Sequence, residues 1–179
     1  MAIQIVSDKE ALVVQMQTDK QPLYIFLDVD GVLNNNAAFF LNKETIYVLS
    51  HENLVNYQYL YLNLKEHFDV HVILSSTWRK DKTGINKLLK YSKKYTGLKF
   101  EDMTDDKWEP SRTVEIKNYC DKHSIDYDNV LVIDDGVVAS LDFPAVQVWT
   151  KCFDGLQWSE VDNVLNYFKI HKKVKVRNV

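Results

Sequence analysis

A short apolar run that ends in two acidic residues limits the possible folds of this chain more than any other feature. Residues 24–34 read Tyr-Ile-Phe-Leu-Asp-Val-Asp-Gly-Val-Leu-Asn. The unbroken apolar run is typical of a strand that is buried on both faces of a sheet. Asp28, Asp30 and Gly31 follow it, at the end of the strand where open α/β sheets bind their ligands. The same residues also fit an ordinary turn, because Asp and Gly are common turn formers.

Further strands and helices alternate along the chain and predict an α/β fold. Residues 70–74, 129–133 and 145–149 are apolar enough for buried strands, and residues 98–103 fit a weaker edge strand. Residues 32–42 show no clear period and are predicted to form a loop or flap. Connections of this length suit crossovers, so we expect a three-layer sandwich with a mainly parallel, Rossmann-like central sheet. Helices are predicted around the strands, over residues 7–18, 52–68, 85–95, 111–123 and 159–170.

Length and composition favour one domain in a reducing compartment. With 179 residues and 46% hydrophobic content, we expect a single domain over residues 1–179. Its core would cover about 22–170, after a leading helix within 1–21 and before a basic tail at 171–179. The net charge of −3 gives no global electrostatic case for a nucleic-acid partner. The two cysteines show no disulfide or metal spacing, and no signal peptide or membrane span is evident. We therefore expect a cytoplasmic protein with no membrane partner.

Three predicted strand ends carry polar groups that suit one kind of chemistry. Asp28 and Asp30 follow the first strand, the Ser75-Ser76 pair follows the second, and the Asp134-Asp135 pair follows the third. In a parallel sheet these ends lie at one edge, where the carboxylates would repel each other unless a cation lay among them. Mg²⁺ commonly binds one or two carboxylates together with waters and substrate phosphate. Carboxylates, Mg²⁺ and hydroxyls together favour phosphoryl transfer.

The spacing of Asp28 and Asp30 suits two complementary roles. A carboxylate can act as the nucleophile and form an aspartyl-phosphate that water then hydrolyses. Such a site needs a second acid, which protonates the leaving oxygen and later deprotonates the water. Since one residue separates Asp28 from Asp30, both can project from one loop and divide these roles.

The sequence resembles the haloacid dehalogenase (HAD) superfamily of phosphohydrolases, and more narrowly the HAD domains of "Swiss army knife" RNA-repair proteins. Asp28–Val32 is similar to the first motif of the superfamily, Ser75 to the second, and the Asp134-Asp135 pair to the fourth. The narrower resemblance covers roughly residues 22–170. It rests on Leu27–Asn34, Leu74–Arg79, Arg112–Ile116, Val132–Asp135, and Thr150 with the later Gly155-Leu156.

The resemblance implies an Mg²⁺-dependent phosphatase that acts through an aspartyl-phosphate. Asp28 would be the nucleophile, and Asp30 would be the general acid and base. Mg²⁺ would be held by Asp28, the backbone carbonyl of Asp30, and Asp134, with Asp135 as a possible further ligand.

Phosphate binding is expected from hydroxyls and one basic residue. The resemblance implies that Ser75 would hydrogen-bond to the phosphoryl group. Ser76 is a second phosphate-binding candidate, although a turn residue is the more ordinary interpretation. The third motif of the superfamily is a lone basic residue. Arg112 is our choice because it begins a predicted helix and its guanidinium suits phosphate, and Lys117 and Lys107 are the alternatives.

Residues beside these motifs have less specific predicted roles. Trp78 is interpreted as a packing residue, and Arg79 as either an ion-pair residue or a substrate contact. Asn34, Asn35 and Asn36 would lie at the entrance of the site or simply form a loop.

The substrate is predicted from the space available for a cap domain. The segments after the first motif and between the second and third are too short for the large cap found in many HAD phosphatases, so we expect an open site. An open site suits large substrates, and the resemblance favours a polynucleotide 3′-phosphate end. Two alternatives remain at this point: a phosphatase of free nucleotides or other small phosphate esters, and a non-catalytic module that binds Mg²⁺ or phosphate. The sequence leaves the oligomeric state open.

Overall fold

A central sheet of parallel strands organises the protein. The computed structural model describes residues 20–41, 46–105, 110–140 and 142–171. Within these residues five strands are hydrogen-bonded in the order β3-β2-β1-β4-β5, and every pairing is parallel. The strands are β1 Pro22–Leu27, β2 Asp69–Leu74, β3 Asp102–Met103, β4 Val130–Asp134 and β5 Val146–Trp149.

Helices connect the strands, and capping side chains fix where several of them begin. Ser50, Asp81 and Ser111 each accept a hydrogen bond from a backbone N–H in the first turn of the helix that follows. The helices of the described residues are α1 Asn36–Leu41, α2 His51–His67, α3 Lys82–Ser92, α4 Arg112–His123 and α5 Trp158–Tyr167, with 3₁₀ turns at Thr77–Lys80 and Tyr127–Asn129.

The two faces of the sheet are covered by different helices. Along β1, Leu23, Ile25 and Leu27 pack in one cluster with buried side chains of α2, α3 and α5. Phe26 points to the other face and packs with α4 and the segment after β4. Burial of each such side chain stabilises the fold by about 1.5–3 kcal/mol. The predicted three-layer α/β sandwich is confirmed.

The structure corrects the prediction of a loop or flap over residues 32–42. Residues 36–41 form the short helix α1, which begins where the Ala38 N–H donates to the Asn35 side chain at 2.9 Å. None of the helix residues is buried, and five of the six are apolar. A continuous apolar run shows no helical period, which is why the pattern did not indicate the helix.

The other elements lie close to their predicted bounds, with some shortening. The edge strand predicted over residues 98–103 is reduced to Asp102–Met103. The helix predicted over residues 7–18 and nearly all of the basic tail lie outside the described residues. Between β1 and β4, the described residues form the helices named above and no inserted cap. Among these residues no helix has the length and apolar character needed to cross a membrane.

The buried Arg79 side chain connects helix α4 with the segments that follow β2 and β3. The Arg79 side chain is 1% exposed and forms an ion pair of 2.9 Å with Glu115 on α4. It also donates to backbone carbonyls at the ends of β2 and β3, which are those of Ser75, Ser76, Thr104 and Asp105. Of the two interpretations offered for Arg79, the structure supports the ion-pair residue.

We predict that Arg79→Met destabilises the protein by about 3–5 kcal/mol, because it leaves a buried carboxylate and several carbonyls without their partner. Urea unfolding followed by circular dichroism measures this loss. The matched control is Lys80→Met, at the exposed neighbouring position, where we expect a change within about 0.5 kcal/mol. Equal, small effects of the two substitutions would show that Arg79 does not connect the three segments.

Candidate active site

The site lies where the strand order changes direction, between β1 and β4. The chain moves outward from β1 to β3 and returns to β4 on the other side of β1, which creates the crevice where open sheets bind ligands. The Asp28 N–H donates to the Ile133 carbonyl at 3.0 Å, and the Ser75 N–H donates to the Leu27 carbonyl at 3.0 Å. The ends of β1, β2 and β4 are therefore held side by side, and their side chains share one crevice.

Three carboxylates converge in this crevice. Asp28, Asp134 and Asp135 each offer an oxygen, and these oxygens lie within 4.8 Å of one another. Asp28 is 6% exposed and Asp134 is 4% exposed, while Asp135 is half-buried. The Asp30 carboxylate is not part of this group, so the Mg²⁺ contact predicted for this residue rests on its backbone carbonyl.

Burial makes this cluster costly to ionise. Burial, with a smaller contribution from the charge of Asp134, raises the pKa of Asp28 to about 7. Burial also raises the pKa of Asp134 and the pKa of Asp135. The positive charge of Arg112 opposes the rise in pKa at all three carboxyls. The arrangement therefore favours a bound cation that stabilises the ionised forms.

Arg112 supplies positive charge to the cluster. Its guanidinium lies 3.2 Å from an oxygen of Asp134 and 3.9 Å from an oxygen of Asp28. It also donates to the backbone carbonyl of Ser75, and it is paired with Glu115 at 3.0 Å, three residues further along α4. Glu115 therefore holds the guanidinium toward the crevice, which explains the Arg-x-x-Glu pattern of the sequence.

Only one of the two alternatives to Arg112 lies in the described part of the chain. Among the described residues, the ion pairs of Asp28 and Asp134 are formed by Arg112 and not by Lys117. Lys107 lies outside the described residues.

The hydroxyls of Ser75 and Ser76 follow β2 and are both buried, but they differ in their hydrogen bonding. The Ser75 Oγ is buried and has no hydrogen-bond partner among the described residues, which is unusual because a buried hydroxyl without one is costly. The Ser76 side chain hydrogen-bonds to Asp28 and accepts weakly from the Trp78 N–H at 3.4 Å. Ser75 Oγ is thus available to a phosphoryl oxygen, whereas Ser76 is occupied by Asp28 and by its turn.

The Asp30 carboxylate is held by two donors that the sequence did not single out for this role. The Trp78 indole N–H lies 3.0 Å from both carboxylate oxygens. The Asn34 amide donates to the same carboxylate at 2.8 Å and accepts from the Gly31 N–H at 2.8 Å. These contacts correct the interpretation of Trp78 as a packing residue alone. Asn34 is fully buried and does not line the entrance.

The turn that directly follows Asp30 requires a glycine. Gly31 has a φ of +68°, and a Cβ at this position would collide with the Asp135 carboxylate. The Thr150 hydroxyl, just after β5, donates to the Gly31 carbonyl at 2.7 Å. The turn is thus fixed to two neighbouring strand ends, and Asp135 can approach closely.

The donor set fits Mg²⁺. Hard divalent cations prefer oxygen ligands, and Mg²⁺ is commonly held by a few carboxylates. One oxygen of Asp134 is buried, and among the described residues its close polar neighbour is the Arg112 Nε at 3.2 Å. A cation bound by Asp28, Asp134 and Asp135 would satisfy this oxygen and reduce the repulsion within the cluster.

The fold and the carboxylate cluster together define a Rossmann-like α/β domain with a candidate cation site at the carboxyl ends of its strands. A family model described as the HAD domain in Swiss Army Knife RNA repair proteins matches residues 24–161 of this chain. The chain belongs to this family, as its motifs indicated, and the family points to a phosphohydrolase with Mg²⁺ as its usual cofactor. Comparison with curated proteins gave no match, and comparison with solved structures gave none either.

The raised pKa of Asp28 leads to a prediction about the metal-free protein. Between the ordinary pKa of 3.8 and the value of about 7 in the fold, the folded state binds more protons at this residue than the unfolded state. The stability that this carboxyl contributes is therefore present at low pH and is lost as the pH rises through 7. Asp28→Asn removes the charge, so we expect it to stabilise the protein by roughly 1–3 kcal/mol at pH 8 in EDTA.

Thermal unfolding at pH 5 and pH 8 measures this effect, with Asp128→Asn at an exposed position as the matched control. The increase in Tm caused by Asp28→Asn should be larger at pH 8 than at pH 5, and Asp128→Asn should cause no such increase. Addition of Mg²⁺ should raise the Tm of the wild type more than that of Asp28→Asn. A variant that is less stable than the wild type at pH 8 would contradict the electrostatic argument.

Proposed function

We propose that this protein is an Mg²⁺-dependent phosphatase that acts through an aspartyl-phosphate, with a polynucleotide 3′-phosphate end as its favoured substrate. The observation that carries the proposal is the free Ser75 Oγ, buried beside a carboxylate cluster that Arg112 faces. A phosphoryl group is the ligand that satisfies both the hydroxyl and the guanidinium. The bound cation, held by Asp28, Asp134 and Asp135, would neutralise charge that develops on the phosphoryl oxygens.

The reaction divides between Asp28 and Asp30. A carboxylate oxygen of Asp28 attacks phosphorus, the bond between phosphorus and the ester oxygen breaks, and Asp30 gives a proton to the departing alcohol. Asp30 then takes a proton from a water molecule that attacks the phosphorus of the aspartyl-phosphate. Inorganic phosphate leaves, and Asp28 is regenerated. The contacts of Asp30 with Trp78 and Asn34 support this assignment, because they hold its carboxylate in place while leaving it outside the cluster of the metal-binding carboxylates.

Two features support a polynucleotide over a small phosphate ester. The described residues contain no cap over the site, and an open site accepts the end of a long chain. Lys87, Lys90 and Lys94 line a groove of about 410 Å³ between α3 and the start of α2. Two of these ammonium groups lie over tyrosine rings, at 5.6 and 5.4 Å from the ring centroids, so they are partly pre-positioned for further phosphates. The unpaired Cys120 and Cys152 are in keeping with the cytoplasmic location that we propose.

Phosphate release from 3′-phosphorylated oligonucleotides tests the proposal. We expect activity with Mg²⁺ that is abolished by EDTA and reduced by at least about a thousandfold in Asp28→Asn, because the nucleophile is lost. The ratio kcat/KM should rise with oligonucleotide length, and 5′-phosphorylated oligonucleotides and mononucleotides should react more slowly. Faster turnover of mononucleotides would favour a phosphatase of small esters. No release from any substrate with any metal would favour the non-catalytic module.

Arg112 and Lys117 provide a matched test of phosphate binding on one helix. Arg112→Ala should lower kcat/KM by about 100- to 1,000-fold, because a preorganised donor to the phosphoryl group is lost. Lys117→Ala should stay near the wild-type value, since Lys117 forms no ion pair with the cluster among the described residues. Steady-state kinetics with an aryl phosphate gives both values, and a large loss in Lys117→Ala with little loss in Arg112→Ala would reverse the assignment.

A further inference from the structure

A small pocket opens beside Asp30 and is not used by the phosphate or the metal ligands. It has a volume of about 230 Å³ and lies between α1 and the 3₁₀ turn after β2. Its walls contain three aromatic side chains, one of them a tyrosine, together with one aliphatic side chain, one threonine and one carboxylate. The residues are Phe39, Ile46, Tyr47, Thr77, Trp78 and Asp30.

One wall of this pocket is rigid. The rings of Tyr47 and Trp78 meet edge to face, with centroids 5.0 Å apart and an interplanar angle of 86°. The Tyr47 hydroxyl donates a hydrogen bond to the Asp81 carboxylate at 2.5 Å, and the Trp78 indole N–H donates one to the Asp30 carboxylate. Both rings are therefore fixed before any ligand arrives, which lowers the entropic cost of binding.

Two further residues of the pocket are apolar and accessible. Phe39 is half-buried on α1, and Ile46 is 73% exposed. A flat apolar ligand in the pocket would remove apolar surface of these side chains and of Trp78 from water. The six residues include no lysine or arginine, and the Asp30 carboxylate would repel an anion. The pocket therefore suits an uncharged ring and not a second phosphate.

We propose that this pocket is the leaving-group subsite and that it binds the nucleoside next to the scissile phosphate. The inference rests on the proposed reaction, in which Asp30 protonates the departing alcohol. A general acid must lie within hydrogen-bond reach of that oxygen, so the carbon skeleton of the alcohol lies in the pocket that Asp30 lines. Arg112 and Ser75 then bind the phosphoryl group on one side of Asp30, and the aromatic walls bind the ring system on the other.

Phe39 and Phe40 offer a matched pair of variants for the test. Both belong to α1, but Phe39 lines the pocket, whereas Phe40 does not and is 80% exposed. The readout is a selectivity ratio, kcat/KM for a nucleoside 3′-monophosphate divided by kcat/KM for glycerol phosphate. Phe39→Ala should lower this ratio by about 5- to 150-fold, the range expected for loss of one stacking contact, chiefly through KM. Phe40→Ala should leave the ratio unchanged.

Further measurements distinguish an incorrect subsite assignment from an incorrect reaction. If Phe39→Ala does not fold, Ile46→Ala replaces it and should lower the ratio in the same direction. Binding of adenosine alone, measured by equilibrium dialysis, should weaken in Phe39→Ala and needs no turnover. Hydrolysis of both substrates with equal efficiency in the wild type, or an unchanged ratio in Phe39→Ala, would overturn the subsite while the phosphatase stands. Adenosine binding that depends on Phe39 without any hydrolysis would support a nucleoside-binding pocket and would contradict the proposed reaction and the leaving-group role.

Discussion

The site depends on how the charges of three carboxylates, two of them buried, are compensated at the carboxyl ends of the strands. Asp28, Asp134 and Asp135 come from two adjacent strand ends, and burial raises the pKa of each. Such a cluster weakens the metal-free fold, since charges removed from water must be compensated by partners. Arg112 supplies part of the compensation, and a cation, which the donor set fits, would supply the rest. The same imbalance that lowers stability therefore creates a strong attraction for a divalent ion, as expected where function and stability compete.

Glu115 connects the arginine that faces the carboxylate cluster to the arginine that holds the strand ends together. Its carboxylate is paired with Arg79 at 2.9 Å and with Arg112 at 3.0 Å. Arg79 binds the carbonyls that follow β2, while Arg112 faces the carboxylate cluster. One glutamate on α4 thus sets the position of the loop that carries Ser75 and the position of the guanidinium across from it. Because the two arginines share this partner, their contributions to stability and to phosphate binding will not be additive.

The sequence predicted the parts of the site that follow from local patterns. Buried parallel strands are unbroken apolar runs, so the ends that carry Asp28, Ser75 and Asp134 could be located, and the parallel order brought them to one edge. The pairing of Trp78 with Asp30 could not be found in this way, because 48 residues separate them and no period records a side-chain hydrogen bond. The indole N–H was the available signal, since a buried tryptophan usually requires an acceptor. Helix α1 was missed because its short, nearly all-apolar sequence shows no helical period.

The phosphate-binding side of Asp30 and the side that faces the pocket differ in chemistry. This difference can give specificity to a site over which the described residues place no cap. On the phosphate side, the partners are charged or hydroxyl-bearing and would bind any phosphoryl group. On the other side, Trp78, Tyr47 and Phe39 form aromatic walls without a cation. A HAD domain with a cap can select its substrate by closing over it, whereas an open domain must rely on surfaces that already exist. The Trp78 indole both donates to Asp30 and lines the neighbouring pocket, so in the proposed reaction proton transfer and recognition of the leaving group would depend on one side chain.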